Sequence, residues 1–268
     1  MCGIHIANAT VDPLVPKCHV ARPRCTHTRH HQTMLVDLNG VPTVLLPGTG
    51  SDDDYVYRAF APALHQVGAL VVAHAPEPTA LVEGYRRALA DAASDGPIAV
   101  AGVSLGAAVA LEWAITHPRR TVAVLAALPA WTGAPQGAPA AQAALASAHE
   151  LRRDGLVAAT ARMQRSSPPW LADELTRSWV NQWPDLPDAM EEAAGFVAPT
   201  CSQLETLRVP LGVVSAIDDP IHPLEVGAEW VTAAPLAALR TVTLAQIGAH
   251  PGVLGAACLA ALADLTEL

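Results

Sequence analysis

The sequence predicts an α/β protein with a mostly parallel central sheet flanked by helices. Three observations carry that prediction. From residue 34 onward, short continuous apolar runs alternate with helical stretches, the pattern of strands buried on both faces. The pentapeptide Gly102-Val103-Ser104-Leu105-Gly106 stands between one such run and a helix. Residues 131–205 then break the alternation with a long stretch that has no strand signal.

Taken in order, Met34–Leu38 and Val41–Leu46 are apolar runs split by Asn39-Gly40, which predicts a hairpin. Gly48-Thr49-Gly50 comes next, and Ser51-Asp52-Asp53-Asp54 opens a helix with acids in its first turn, running to about Gln66. Ala69–Ala73 reads as a buried strand and Leu81–Ala93 as a helix with Arg86 and Arg87 outward. Ile98–Val103 is a third buried strand, Gly106–Thr116 a helix and Thr121–Leu128 a strand. After the 131–205 insertion, Val209–Ile217, Leu224–Ala233 and Leu239–Leu244 resume strand, helix, strand, and Val253–Leu265 is a closing helix. Strand–helix–strand units of this kind cross over right-handedly, which fixes most of the topology.

Composition narrows the function classes. In 268 residues, 51% are hydrophobic and 15% charged, which excludes a disordered chain. No apolar run approaches the ~20 residues that a membrane helix needs. A net charge of −9 argues against nucleic acid or an anionic membrane as a stable partner, and an aromatic content of 4% against a base-stacking surface. Five cysteines in a long chain are no disulfide framework. With no charged segment leading into an apolar one at the N-terminus, a cytoplasmic location is expected. Residues 1–32 stand apart: they hold the single lysine, three cysteines and five histidines, and carry a net charge of +3. Cys18, His19, Cys25, His27, His30 and His31 do not match a tetrahedral zinc spacing, so the expectation is a loose tail and no metal.

The chemistry concentrates at Ser104. A nucleophile on a very tight strand-to-helix turn crowds the residues two positions either side, and glycines at 102 and 106 remove that crowding. The helix N-terminus beneath it supplies positive potential for a developing oxyanion. Such a serine needs a base and a group that orients the base. Two segments offer them, each just past a predicted strand, where open parallel sheets place their sites. One is Asp218-Asp219-Pro220-Ile221-His222-Pro223; the other is Gly248-Ala249-His250.

These features, with Leu46-Pro47-Gly48-Thr49-Gly50, resemble those of α/β-hydrolase fold proteins that carry a helical cap, over Met34 to Leu268. The resemblance implies a core formed by residues 33–130 and 206–268, with a helical cap at 131–205 inserted after strand six. It places the acid four residues before a proline, which selects Asp219 over Asp218, and the base in the Gly248-Ala-His250 turn. Ser104 is then the nucleophile, His250 the general base and acid, and Asp219 the orienting carboxylate. His222 is expected at the start of the following helix instead. The oxyanion donors implied are the backbone N–H groups of Leu105 and Thr49. Relatives often read His-Gly in that loop, whereas this chain has Pro47-Gly48, which leaves the support of the loop open.

The resemblance thus implies a serine hydrolase acting on a carboxylic ester, lactone or thioester, with no cofactor. Ser104 also argues against the epoxide hydrolases and haloalkane dehalogenases that resemble this fold, which use Asp at that turn. Acyl transfer, carbon–carbon bond hydrolysis with the same triad, and slow ligand binding are the alternatives. A small acyl substrate is the expected partner, contacting Gly48, Trp131, Trp170, Trp179 and Trp183; homo-oligomerisation stays open. Asp52–Asp54 reads mainly as favourable charge at a helix N-terminus.

Overall fold

The computed structural model describes residues 36–265. The zinc candidates and the 1–32 tail lie outside them. Six strands form one parallel sheet: β1 Pro42–Leu46, β2 Leu70–Ala73, β3 Ile98–Val103, β4 Thr121–Ala127, β5 Leu211–Ala216 and β6 Ala237–Val242, in the order β2-β1-β3-β4-β5-β6. Every neighbouring pair is parallel. The order reverses between β1 and β3, so the β1 and β3 ends flank a natural crevice.

The continuous apolar strands exist because both faces are covered. Val44, Leu46, Ile98, Val100, Val124, Ala126, Leu211 and Val213 point into one core with α2 Leu81–Ala92, α3 Leu105–Thr116 and α8 Leu224–Ala233. Leu45, Ala99, Ala101, Val103, Leu125, Ala127, Val214 and Ala216 point into the other, with α1 Asp53–Gln66 and α10 Val253–Asp264. The period-two alternation of side chains thus feeds two cores from one sheet. Each buried Val, Leu or Ile contributes about 1.5–3 kcal/mol relative to exposure.

Two sequence expectations change. Residues 36–38 are not strand and Asn39-Gly40 is a turn that leads directly into β1, so no hairpin forms among the described residues. The run at 69–73 is an edge strand, with Leu70 and Val72 exposed, because nothing pairs beyond β2 among the described residues. The helical insertion follows β4, the strand that ends at Ala127.

The insertion comprises α4 Pro139–Ser166, bent at Gly155, α5 Pro169–Gln182, α6 Leu186–Ala194 and the short α7 Cys201–Leu204. Its own small core gathers Ala148, Leu151, Ala159, Trp179, Leu186 and Met190. Polar contacts fasten it to the sheet domain. Arg177 holds Asp52 through two guanidinium nitrogens at 3.1–3.2 Å. The Gln182 amide donates to Ser51 O at 3.0 Å. The Glu192 carboxylate accepts from the N–H groups of Leu81 and Val82 at 2.8 and 3.0 Å, satisfying the orphan donors of α2. Among the described residues, no helix is long and apolar enough to cross a membrane.

Candidate active site

Ser104 sits between β3 and α3 with φ 54° and ψ −115°, the strained geometry that the flanking glycines permit. A side chain at Gly102 would lie 2.3 Å from Gly106 C, and one at Gly106 would lie 2.2 Å from Leu46 O. Both approaches are to backbone, which cannot move aside. The turn is anchored by Ser104 N–H donating to Ala127 O at 2.9 Å. The strain is thereby held by the sheet itself.

The loop after β5 supplies both partners of Ser104. Asp219 Oδ1 accepts from the N–H groups of Ile221 and His222 at 2.8 and 3.3 Å, folding the chain into a turn. That turn brings His222 back over the carboxylate, with Nδ1 at 2.8 Å from Asp219 Oδ2. The other ring nitrogen, Nε2, lies 3.0 Å from Ser104 Oγ. Burial alone would raise the Asp219 pKa, but hydrogen bonds and charge from His222, with the two backbone donors, hold it below the usual carboxylate range. An ionised Asp219 at neutral pH assigns the Nδ1 proton to the donor role, leaving Nε2 free to accept from the serine hydroxyl.

His250, the base expected from the resemblance, stands elsewhere. β6 ends at Val242, and Thr243 and Gln246 form a reciprocal capping box that starts a further helix, α9 Leu244–Ala249. Asp218 reinforces that start by accepting from Leu244 N–H at 2.8 Å. The extra helical turn carries His250 to its C-terminal end, where it is exposed and shares an open groove of about 350 Å³ with Tyr57, Arg58, His65 and Pro251. It makes no hydrogen bond with Ser104 or Asp219 among the described residues. The signal for His222 was present in the sequence: an Asx-turn at Asp219-Pro220 returns the third residue along to the side chain of the first.

The remaining candidates divide. Gly48 lies beside Ser104, since a side chain there would lie 3.4 Å from Ser104 Cβ. The N–H of Leu105 opens α3 and that of Thr49 belongs to the adjoining loop; neither has a hydrogen-bond partner among the described residues. Trp179 is buried against Gly50, where a side chain would meet its indole nitrogen at 2.9 Å, and that N–H has no partner among the described residues. Trp170 packs on Gly248. Trp131 donates to Phe196 O at 3.1 Å, and Trp183 is exposed. Asp52 caps α1 by accepting from Tyr55 N–H at 2.9 Å, so its charge serves the helix. No group of three or more His, Cys, Asp or Glu able to hold a metal ion occurs among the described residues.

No protein-family profile and no curated protein matches the chain. Solved structures do match. A carboxylesterase structure from the ammonia-oxidizing thaumarchaeon Nitrososphaera gargenis superposes with TM-score 0.68 at 16% identity, over 87% of this chain and 93% of that one. MGS-M2, an alpha/beta hydrolase enzyme from a Medee basin deep-sea metagenome library, gives 0.63 at 14% identity, over 84% and 90%. The enol-lactonase from Burkholderia xenovorans LB400 gives 0.57 at 20% identity, over 77% and 83%. The chain therefore has the α/β-hydrolase fold.

Proposed function

We propose that the protein is a serine hydrolase that cleaves a carboxylic ester, lactone or thioester through an acyl-enzyme on Ser104. The observation that carries this reading is the continuous contact Ser104 Oγ–His222 Nε2, His222 Nδ1–Asp219 Oδ2, at 3.0 and 2.8 Å. The similarity in fold to a carboxylesterase and an enol-lactonase supports the reaction class.

In this mechanism His222 Nε2 takes the Ser104 hydroxyl proton as Oγ bonds to the acyl carbon. The carbonyl π electrons move onto oxygen, and the oxyanion is met by the Leu105 and Thr49 N–H groups. Collapse breaks the bond to the leaving alcohol or thiol, which receives the proton from His222. Water then adds to the acyl-enzyme with His222 again as base, releasing the acid and restoring Ser104. Asp219 keeps the imidazole oriented and stabilises its charged form throughout. Fold alone would not carry this reading; the alignment of Ser104, His222 and Asp219 supports it.

The test is incubation with a fluorophosphonate, followed by intact mass and peptide mapping, alongside Ser104→Ala. Single labelling at Ser104, absent in the variant, is the expected result and would justify a screen of short-chain esters and lactones. Folded protein that takes no label would overturn the reading.

A further inference from the structure

The Pro47-Gly48-Thr49 loop lacks the histidine that often precedes glycine in similar folds, and the structure shows what stands in its place. Tyr85, on α2, is completely buried, and its hydroxyl donates to Pro47 O at 3.1 Å. That carbonyl is wedged from the other side by Gly106, where any side chain would lie 2.6 Å from it. Pro47 is buried too, and no other donor reaches its carbonyl among the described residues. A phenylalanine would satisfy the packing of this site; only the hydroxyl satisfies the carbonyl.

The peptide that Tyr85 holds is the one leading into Gly48, where an added side chain would lie 3.4 Å from Ser104 Cβ, and then into the Thr49 N–H. The ring itself is fixed on its flank by His74, edge to face at 5.9 Å. The helix that carries it is fixed at its first turn by Glu192 of the inserted helices. The loop is thus gripped from behind by α2 and from above by Trp179, Met190 and Gln182.

We propose that Tyr85 is a positioning residue: through its bond to the Pro47 carbonyl it sets the orientation of the Gly48-Thr49 backbone and so of one oxyanion donor. This rests on the serine-hydrolase reading above. A donor a few tenths of an ångström out of place loses transition-state stabilisation while leaving ground-state binding nearly untouched.

The experiment compares wild type, Tyr85→Phe and Leu89→Ala, each isolated as folded monodisperse protein. Leu89 is buried one turn further along α2 and serves as a packing control. Rates of fluorophosphonate labelling, and kcat and KM on a short-chain p-nitrophenyl ester, are taken per folded molecule with Tm alongside. Tyr85→Phe is expected to lower kcat and the labelling rate about tenfold to a hundredfold, with KM within about twofold. Leu89→Ala is expected to lower Tm at least as much yet keep kcat within about twofold. Tyr85→Phe rates within twofold of wild type, an equal kcat loss in Leu89→Ala, or a Tyr85→Phe that yields no folded protein would each overturn the proposal in favour of a purely structural role. A wild type that does not label at Ser104 would overturn the serine-hydrolase reading itself, and this proposal with it.

Discussion

Two histidines compete for the role of base, and substitution separates them. His222 Nε2 stands 3.0 Å from Ser104 Oγ and its Nδ1 2.8 Å from Asp219, so it is in reach of the proton it must move. Deleting it in His222→Ala removes both the general base of acylation and the general acid for the leaving group. Loss of a hydrogen-bonded base costs at least about 10³-fold in kcat/KM, roughly 4 kcal/mol of transition-state stabilisation. His250 is exposed at the end of α9, and its substitution is worth no more than about 0.5 kcal/mol, a twofold to threefold effect. The assay is the initial rate of fluorophosphonate labelling and of p-nitrophenyl ester hydrolysis for His222→Ala and His250→Ala, with circular dichroism to establish folding. A collapse of activity in His250→Ala with His222→Ala near wild type would refute the reasoning. It would mean that α9 unwinds in the working enzyme and that the short contact at His222 is not the catalytic one.

Three further substitutions test the same geometry. Asp219→Asn should lower kcat by about 10²–10⁴-fold, because an amide no longer fixes the imidazole tautomer or stabilises its cation. Because the Asp219 pKa is depressed on folding, its ionised form stabilises the protein at neutral pH, and that contribution fades as pH falls through the depressed value. The Tm gap between wild type and Asp219→Asn should therefore be widest near neutrality and close in acid, as read by thermal melts from about pH 7 to pH 2. Gly106→Ala should cost more than about 3 kcal/mol or prevent folding, since its Cβ would meet the Leu46 and Pro47 carbonyls at 2.2 and 2.6 Å; a denaturant melt reads this. Thr243→Ala should cost about 1 kcal/mol by removing the capping box of α9, yet leave kcat within about twofold.

Much of the fold was legible because it is written in periodicity. Ile98–Val103 and Thr121–Ala127 are apolar almost throughout, which only a doubly covered parallel strand requires, and both formed where expected. The Ser104 turn was legible because Gly102 and Gly106 answer a steric demand that no other residue meets. The edges were not. Leu70 and Val72 look like core in sequence, but whether a strand is central depends on what pairs with it, and that is decided by residues far along the chain.

The different placement of the two histidines has a local cause with a general form. Two histidines each came after a strand, and a position after a strand is a statement about the chain, not about space. The six residues from Thr243 to Gly248 could have been loop, in which case His250 would fall back toward the strand ends. The Thr243–Gln246 capping box and the Asp218 carboxylate instead supply three hydrogen bonds to the N-terminus of a helix, and a helix rises only about 1.5 Å per residue while turning its last side chain outward. Asp219-Pro220-Ile221-His222 meets the opposite condition: its turn closes on itself, so Asp219 and His222 are fixed relative to each other by bonds within the turn. Two loops, after β3 and after β5, then suffice to bring Ser104, His222 and Asp219 together, with the backbone after β1 placing Gly48 beside Ser104. The β6 end is left free of the relay. Side-chain hydrogen bonds between near neighbours, rather than motif position, are what distinguish the two histidines in the structure.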